Sequence, residues 1–367
     1  GILMEHYTSF DLTEWGEPFE EALHEMPQVT GREVLVRITA SGLCHSDLHI
    51  KKGFMDLGEK GKLTFTERGA TLPLTLGHEM AGDVVAAGPD ATVTAGQSVV
   101  IFPWIGCRNC TPCDEDRESD CTSMRILGIH RNGGFATHVV VEDEKFLVDI
   151  QGLDPAKVAP YACSGLTVYN ALSKVGPLRD GQWLAILGAG GLGLNAVAIA
   201  KALGYRHIIA VDIDDAKLEA AQKVGASQVV NARADDAVDQ LKALTDNQLF
   251  GVVDTFGSEQ TGALAVTAMT KAATYVVVGQ HGGDFKMPQI WLPQKAMTVR
   301  GSHVGNSPQL ATLIQMYRDG KLQDIPIETR PLSAVNEAID DLHAGRVTGR
   351  IVFVPDTLDA AGNEIGE

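Results

Sequence analysis

Six cysteines make up the thiol content of this 367-residue chain, and each stands where it could bind a metal. Cys107, Cys110, Cys113 and Cys121 are packed together as Cys-x2-Cys-x2-Cys-x7-Cys, whereas Cys44 and Cys163 lie far apart and flank His78 in the triplet Gly77-His78-Glu79. The split suggests two zinc ions per chain. Structural zinc is held by four protein ligands, and catalytic zinc keeps one position for water or substrate. The four-cysteine segment also holds Arg108, Pro112 and several acids, a poor composition for a core. A tetrathiolate zinc would supply the order that hydrophobic burial cannot. Two disulfides or an iron–sulfur cluster are its alternatives. Six cysteines at metal-like spacing in so long a chain fit a reducing cytoplasm better than a disulfide framework. Taken singly, a free cysteine is more often an inert buried hydrophobe than a ligand.

A second constellation is Gly188-Ala189-Gly190-Gly191-Leu192-Gly193, which fits G-x-G-x-x-G. Its context carries the reading: an apolar run precedes it, a helix-like segment follows, and Asp212 lies nineteen residues past Gly193. Gly188 permits the tight turn, Gly190 lets backbone amides approach a pyrophosphate, and Gly193 allows close helix–sheet packing. Gly191 and Leu192 open the helix, whose N-terminus turns its partial positive charge to the phosphates. A carboxylate at Asp212 would accept bonds from the ribose hydroxyls and repel a 2′-phosphate, so NAD is expected rather than NADP.

These residues need elements to position them. Residues 31–41 alternate apolar and polar, as a half-buried strand does, and similar stretches follow at 80–88, 97–103 and 134–148. Helical periodicity is scarce before residue 155. From about 165, strand-like runs at 183–187, 207–211, 228–230, 250–255, 274–279 and 297–301 alternate with helical segments, which specifies a doubly wound parallel sheet. The fold class expected is α/β: a six-stranded nucleotide domain over 165–302, and a mostly β domain made of 1–164 and 303–367. The net charge of −17 disfavours a nucleic-acid partner, no tract is long and apolar enough for a membrane span, and residues 1–25 lack a signal-peptide pattern. The partner is then a small molecule, and the compartment the cytoplasm.

The chain resembles the zinc-dependent medium-chain alcohol dehydrogenases over nearly its whole length. The residues that carry the resemblance are Gly42-Leu43-Cys44-His45-Ser46-Asp47-Leu48-His49, Gly77-His78-Glu79, Cys163-Ser164-Gly165, the four-cysteine segment and the glycine turn. It implies a GroES-like β domain for the metals and a Rossmann domain for NAD. It makes Cys44, His78 and Cys163 the catalytic zinc ligands, and Cys107, Cys110, Cys113 and Cys121 a structural site without a part in hydride transfer. A dication with an open position lowers the pKa of a bound hydroxyl, which suits oxidation of an alcohol. By the same resemblance Ser46 starts a proton relay that runs through the nicotinamide ribose to His49, whose ordinary pKa of roughly 6.5 suits it for final proton acceptance; an exposed loop histidine is the alternative for His49. His45 matches a position that contacts the pyrophosphate. Asp47 is expected to bond the far nitrogen of His78 and set its tautomer, with Glu79 beside the metal. Arg350 matches a residue that reaches the cofactor phosphates, against the alternative of a surface charge, and Trp104 matches a wall of the alcohol pocket.

Thirty-three residues separate Cys44 from His78, and the extra length within 53–73 reads either as a flap over the substrate pocket or as a solvated loop. Ser46 in place of a threonine leaves room for secondary or bulky alcohols. Polyol dehydrogenases of the same superfamily are the nearest competing reading; a non-catalytic NAD sensor is another, and it would need no proton relay. The resemblance also implies a dimer or tetramer, with the apolar stretch from the last nucleotide-sheet strand, taken as Thr274 to Gly279, up to Val299 extending a sheet across a subunit axis.

Overall fold

The structure, a computed structural model, describes residues 6–356; the expectations for 1–5 and 357–367 lie outside them. Six parallel strands form one sheet in the spatial order Gln228–Asn231, Ile208–Asp212, Trp183–Leu187, Leu249–Asp254, Thr274–Val277 and Thr298–Gly301. The inner strands read as unbroken apolar runs because helices cover both faces. Leu184, Ala185, Ile186 and Leu187 are all buried, as are Val252 and Val253. The order of connection reverses at Trp183–Leu187, so a crevice opens beyond its carboxyl end and that of Leu249–Asp254, where open α/β sheets bind ligands. The strand at the sheet edge is Thr298–Gly301, not Thr274–Val277, and all four of its residues are exposed.

The second unit is built on a seven-stranded sheet running Leu147–Asp149, Ser98–Ile101, Met80–Ala87, Val34–Gly42, Arg350–Val354 and Ile327–Pro331, with His138–Val141 also paired to Val34–Gly42. Residues 350–354 come from the far end of the chain, yet Val352 and Phe353 lie opposite Gly42 and Ser41. The Val34–Gly42 strand differs from its expected half-buried pattern: only Arg37 is partly exposed. Its position inside the sheet, paired to three other strands, explains this, since both of its faces are covered. A smaller sheet joins His6–Leu12, Glu20–Glu25 and Leu74–Thr75.

Two helices that place site residues gave little periodic signal. His45–Lys52 buries only Asp47 and Ile50, so no apolar stripe marks it. Its ends are legible instead: Asp47 accepts from Cys44 N at 3.0 Å, and Gly53 closes it at φ 97°. Ser164–Val175 begins directly after Cys163 and packs on the Gly191–Ala202 helix behind the glycine turn. A hairpin, Phe54–Asp56 with Lys62–Thr64, occupies the 53–73 insertion. It reaches the nucleotide unit, where Glu59 N donates to Asp284 Oδ2 at 2.9 Å. Among the described residues no helix is long and apolar enough to cross a membrane.

Candidate active site

Three distant segments bring Cys44, His78 and Cys163 together. Cys44 caps the His45–Lys52 helix, and Cys163 stands at the junction between a 3-10 turn and the Ser164–Val175 helix. His78 follows Gly77, whose φ of 102° and tight packing on Gly134 and Phe135 leave no room for a side chain. The ligand atoms of the three residues all lie within 4.8 Å of one another, and all three residues are buried. Cys44 Sγ and Cys163 Sγ are 3.6 Å apart. A tetrahedron with Zn–S bonds of about 2.3 Å has an edge of about 3.8 Å, so the donor set fits zinc.

Electrostatics agree with a cation there. The Cys44 thiol is held well below its usual range, chiefly by the hydrogen bond it accepts from Cys163, which as donor is pushed up. Burial by itself would lower His78; the Asp47 carboxylate and the Cys44 thiolate outweigh it and carry the imidazole up to about 9. Burial pushes Asp47 up to about 7. Asp47 Oδ1 lies 3.5 Å from His78 Nδ1, both side chains are fully buried, and neither atom has a hydrogen-bond partner in good geometry. The opposite nitrogen, Nε2, faces the thiol groups. Ser46 Oγ sits 3.1 Å from it and donates to Cys44 Sγ at 3.2 Å, at the mouth of the site.

Glu79 turns away from the sulfurs. One of its carboxylate oxygens accepts from Arg350 and the other from Ser164 N at 3.1 Å. Burial raises its pKa, opposed by the Arg350 charge. Arg350 is itself buried, which removes the surface-charge alternative. Its Nε has no partner, and its stem packs on Gly191, where a Cβ would collide with it.

The glycine turn lies in the same cleft, of about 430 Å3, lined by Gly190, Gly191 and Leu192 together with Cys44, His45, Ser46, His49, Cys163 and Arg350. Gly188 has φ 96°, and a Cβ on Gly193 would run into the Gly188 carbonyl, so both must be glycine. A Cβ on Gly190 would meet nothing of the protein; that space is open to a ligand. The Asp212 carboxylate accepts from Ala189 N at 2.7 Å and Asp214 N at 3.0 Å, which sets it against the turn and leaves lone pairs on both oxygens. The donor geometry of a dinucleotide site is therefore present. Burial lowers the pKa of His49, aided by Lys52 and His281.

Trp104 is buried, its indole N–H donates to Ala162 O at 2.8 Å, and its ring lies 5.2 Å from that of His78 and 6.2 Å from that of His303. The 53–73 segment contributes Met55, Phe65 and Arg68 to the cleft. Met55 and Phe65 are among the apolar residues that make the insertion readable as a flap, whereas Arg68, His303 and Lys217 are cleft residues that sequence reasoning did not single out. Lys217 had a faint signal, being half a helix turn past the two acids that follow Asp212; the others depend on packing alone.

The four remaining cysteines also converge, their sulfurs all within 4.8 Å of one another. Cys107 N and Ser123 N donate to Cys121 Sγ at 3.3 and 3.4 Å, and against the effect of burial these bonds pull Cys121 down to about 7. Gly106 leaves the space that the Cys113 and Cys121 sulfurs occupy. None of the six cysteines is in a disulfide.

Comparison with known proteins agrees with this geometry. A family described as alcohol dehydrogenase GroES-like domain matches residues 30–152, and one described as zinc-binding dehydrogenase matches residues 191–319. An NAD-dependent alcohol dehydrogenase of Sulfurisphaera tokodaii is 36% identical over 94% of this chain and 99% of its own. A protein of the same description from Saccharolobus solfataricus is 34% identical over 94% and 99%. The crystal structure of an alcohol dehydrogenase from Aeropyrum pernix superposes with a TM-score of 0.87 at 28% identity, covering 95% of this chain and 100% of that one. Shared sequence along the whole length and a shared fold lead to one conclusion: the chain belongs to the zinc-dependent medium-chain alcohol dehydrogenase family.

Proposed function

We propose that the chain interconverts an alcohol and its aldehyde or ketone by NAD-dependent hydride transfer at the Cys44–His78–Cys163 centre. The observation that carries this reading is the meeting, in one cleft, of three buried metal donors and an open glycine turn. Bound there, zinc would polarise the substrate oxygen while NAD takes up or returns the hydride.

The chain's own residues hold and prepare the reactants. Cys44, His78 and Cys163 hold the catalytic metal, and Asp47 keeps the proton of His78 on Nδ1 so that Nε2 is free to coordinate. Ser46 Oγ, at the mouth of the site, accepts the proton of the substrate hydroxyl. His49, one helical turn further along and lining the same cleft, takes the proton on toward solvent. Gly188, Gly190, Gly191, Leu192 and Gly193 cradle the pyrophosphate at a helix N-terminus, with His45 beside it, and Asp212 receives the adenosine ribose. Arg350 spends one arm on Glu79 and keeps its unpartnered Nε for the phosphates. Trp104 walls the substrate side and keeps water from it. The four-cysteine segment holds a second, structural zinc.

The units are 1–164 with 303–367, and 165–302; the pairing of Arg350–Val354 with Val34–Gly42 supports that division. The exposed Thr298–Gly301 edge supports assembly by sheet extension into a dimer or tetramer. Retained cysteine thiols suit a cytoplasmic protein. The test is to mix the protein with NAD and a panel of primary, secondary and aryl alcohols and follow absorbance of the reduced cofactor. Turnover lost on chelation and restored by zinc supports the reading; turnover untouched by removal of all metal would sink it.

A further inference from the structure

The cleft carries charge of one sign. Among its described lining residues none is Asp or Glu, although the chain as a whole has 47 acids against 30 lysines and arginines. Its cations fall into two groups. Lys217 and Arg350 act on His45 beside the glycine turn, where an anionic dinucleotide accounts for them. Arg68 belongs to the other side: its charge acts on His303, whose ring faces Trp104, and Trp104 in turn faces His78. A line of ring contacts thus runs from His78 through Trp104 to His303, and Arg68 lines the same cleft within electrostatic reach of its far end.

Among the described residues nothing neutralises that guanidinium. Arg68 is half-buried and lies over the Phe65 ring at 5.1 Å, with no carboxylate of the described residues paired to it. Burial alone depresses its pKa. A cation stripped of part of its water and given no counter-charge is costly, and a ligand anion would offset that cost. The neighbouring wall is apolar, with Met55, Phe65, Ile126 and Ile129. A single guanidinium on such a wall matches a carboxylate through two parallel bonds, whereas a phosphate would call for further donors.

Resting on the alcohol dehydrogenase reading above, we propose that the substrate is a hydroxy-carboxylate, with its hydroxyl at the Cys44–His78–Cys163 centre and its remote carboxylate in the fork of Arg68. The insertion at 53–73 is then the element that sets specificity. The step itself is the ordinary one: the alcohol carbon loses a hydride to NAD and its oxygen loses a proton, while the remote carboxylate is unchanged.

The test compares kcat/KM for ω-hydroxycarboxylates of graded chain length with the neutral alcohols of equal length, for the intact enzyme, Arg68→Gln and Arg68→Glu. The native enzyme should prefer the carboxylate. Arg68→Gln should cut the ratio about tenfold to hundredfold, the range for a hydrogen bond to a charged group, and Arg68→Glu should turn preference toward the ω-amino alcohol. A ratio near one, unmoved by either change, overturns the anion site and leaves the alcohol dehydrogenase reading standing. A ω-hydroxyalkyl phosphate that outranks every carboxylate overturns the choice of anion. No turnover of any alcohol, neutral or charged, overturns both readings.

Discussion

Asp47 does two jobs with one carboxylate: Oδ2 accepts from the Cys44 backbone and Oδ1 stands 3.5 Å from His78 Nδ1. Asp47→Asn keeps an acceptor for the helix cap but removes the negative charge behind the imidazole. We expect it to weaken zinc binding about tenfold to hundredfold, read as metal retained after dialysis against graded chelator; unchanged retention would remove Asp47 from the metal's support. His138 bears on stability rather than chemistry. Burial, with Arg37 nearby, lowers its pKa to about 4, against roughly 6.5 in the unfolded chain. Between those values the unfolded state binds the extra proton, so the contribution of His138 is complete above pH ~6.5 and is lost as pH falls toward ~4. His138→Asn should therefore show a smaller drop in Tm between neutral and mildly acidic buffer than the native protein. An equal drop would mean that other groups set the acid limit. At this scale the sequence exposed candidate ligands by type, because cysteine and histidine spacing is chemistry in itself. It could not show that Arg350 is buried against Glu79, since the two are 271 residues apart and their pairing exists only after folding.

The four-cysteine segment contains just two short turns, Thr111–Asp114 and Glu118–Asp120, and its only buried side chains besides Cys113 and Cys121 include the acid Glu118. So little apolar burial cannot order it, which leaves the metal as its source of stability. Cys113→Ser should lower Tm by several degrees while the turnover of protein still folded changes little; full stability with abolished turnover would contradict a structural role. The segment also touches the rest of the chain through Ser119, whose N–H and hydroxyl both donate to Asn306 Oδ1, at 3.2 and 2.8 Å. Its loosening would thus reach the linker beside His303. Elements were legible in proportion to their burial pattern. The inner nucleotide strands, covered on both faces, showed as apolar runs close to their observed bounds. The His45–Lys52 helix did not, because a helix with two buried residues has no stripe to read.

Across the whole molecule, the free edge of the six-stranded sheet invites another strand. Thr298 N and Ser302 N donate inward to Ala273 O and Val277 O at 3.0 Å, so by alternation the Val299 N–H points outward. Val299→Pro would delete an outward donor and spare the inner ladder. If subunits join along this edge, the variant should have a smaller mass by light scattering with an unchanged far-UV spectrum; an unaltered mass places the interface elsewhere. What the sequence determined by itself was chemistry written in local order: a glycine turn needs neighbouring residues, a tetrathiolate needs close cysteines, and a parallel sheet needs alternating segments. Only the tertiary structure decided which cations share the cleft, that the 53–73 hairpin lines it and bridges to Asp284, and that the last strand lies at the edge. Those facts depend on contacts between residues far apart in the chain, and burial and charge at such contacts have no local signature.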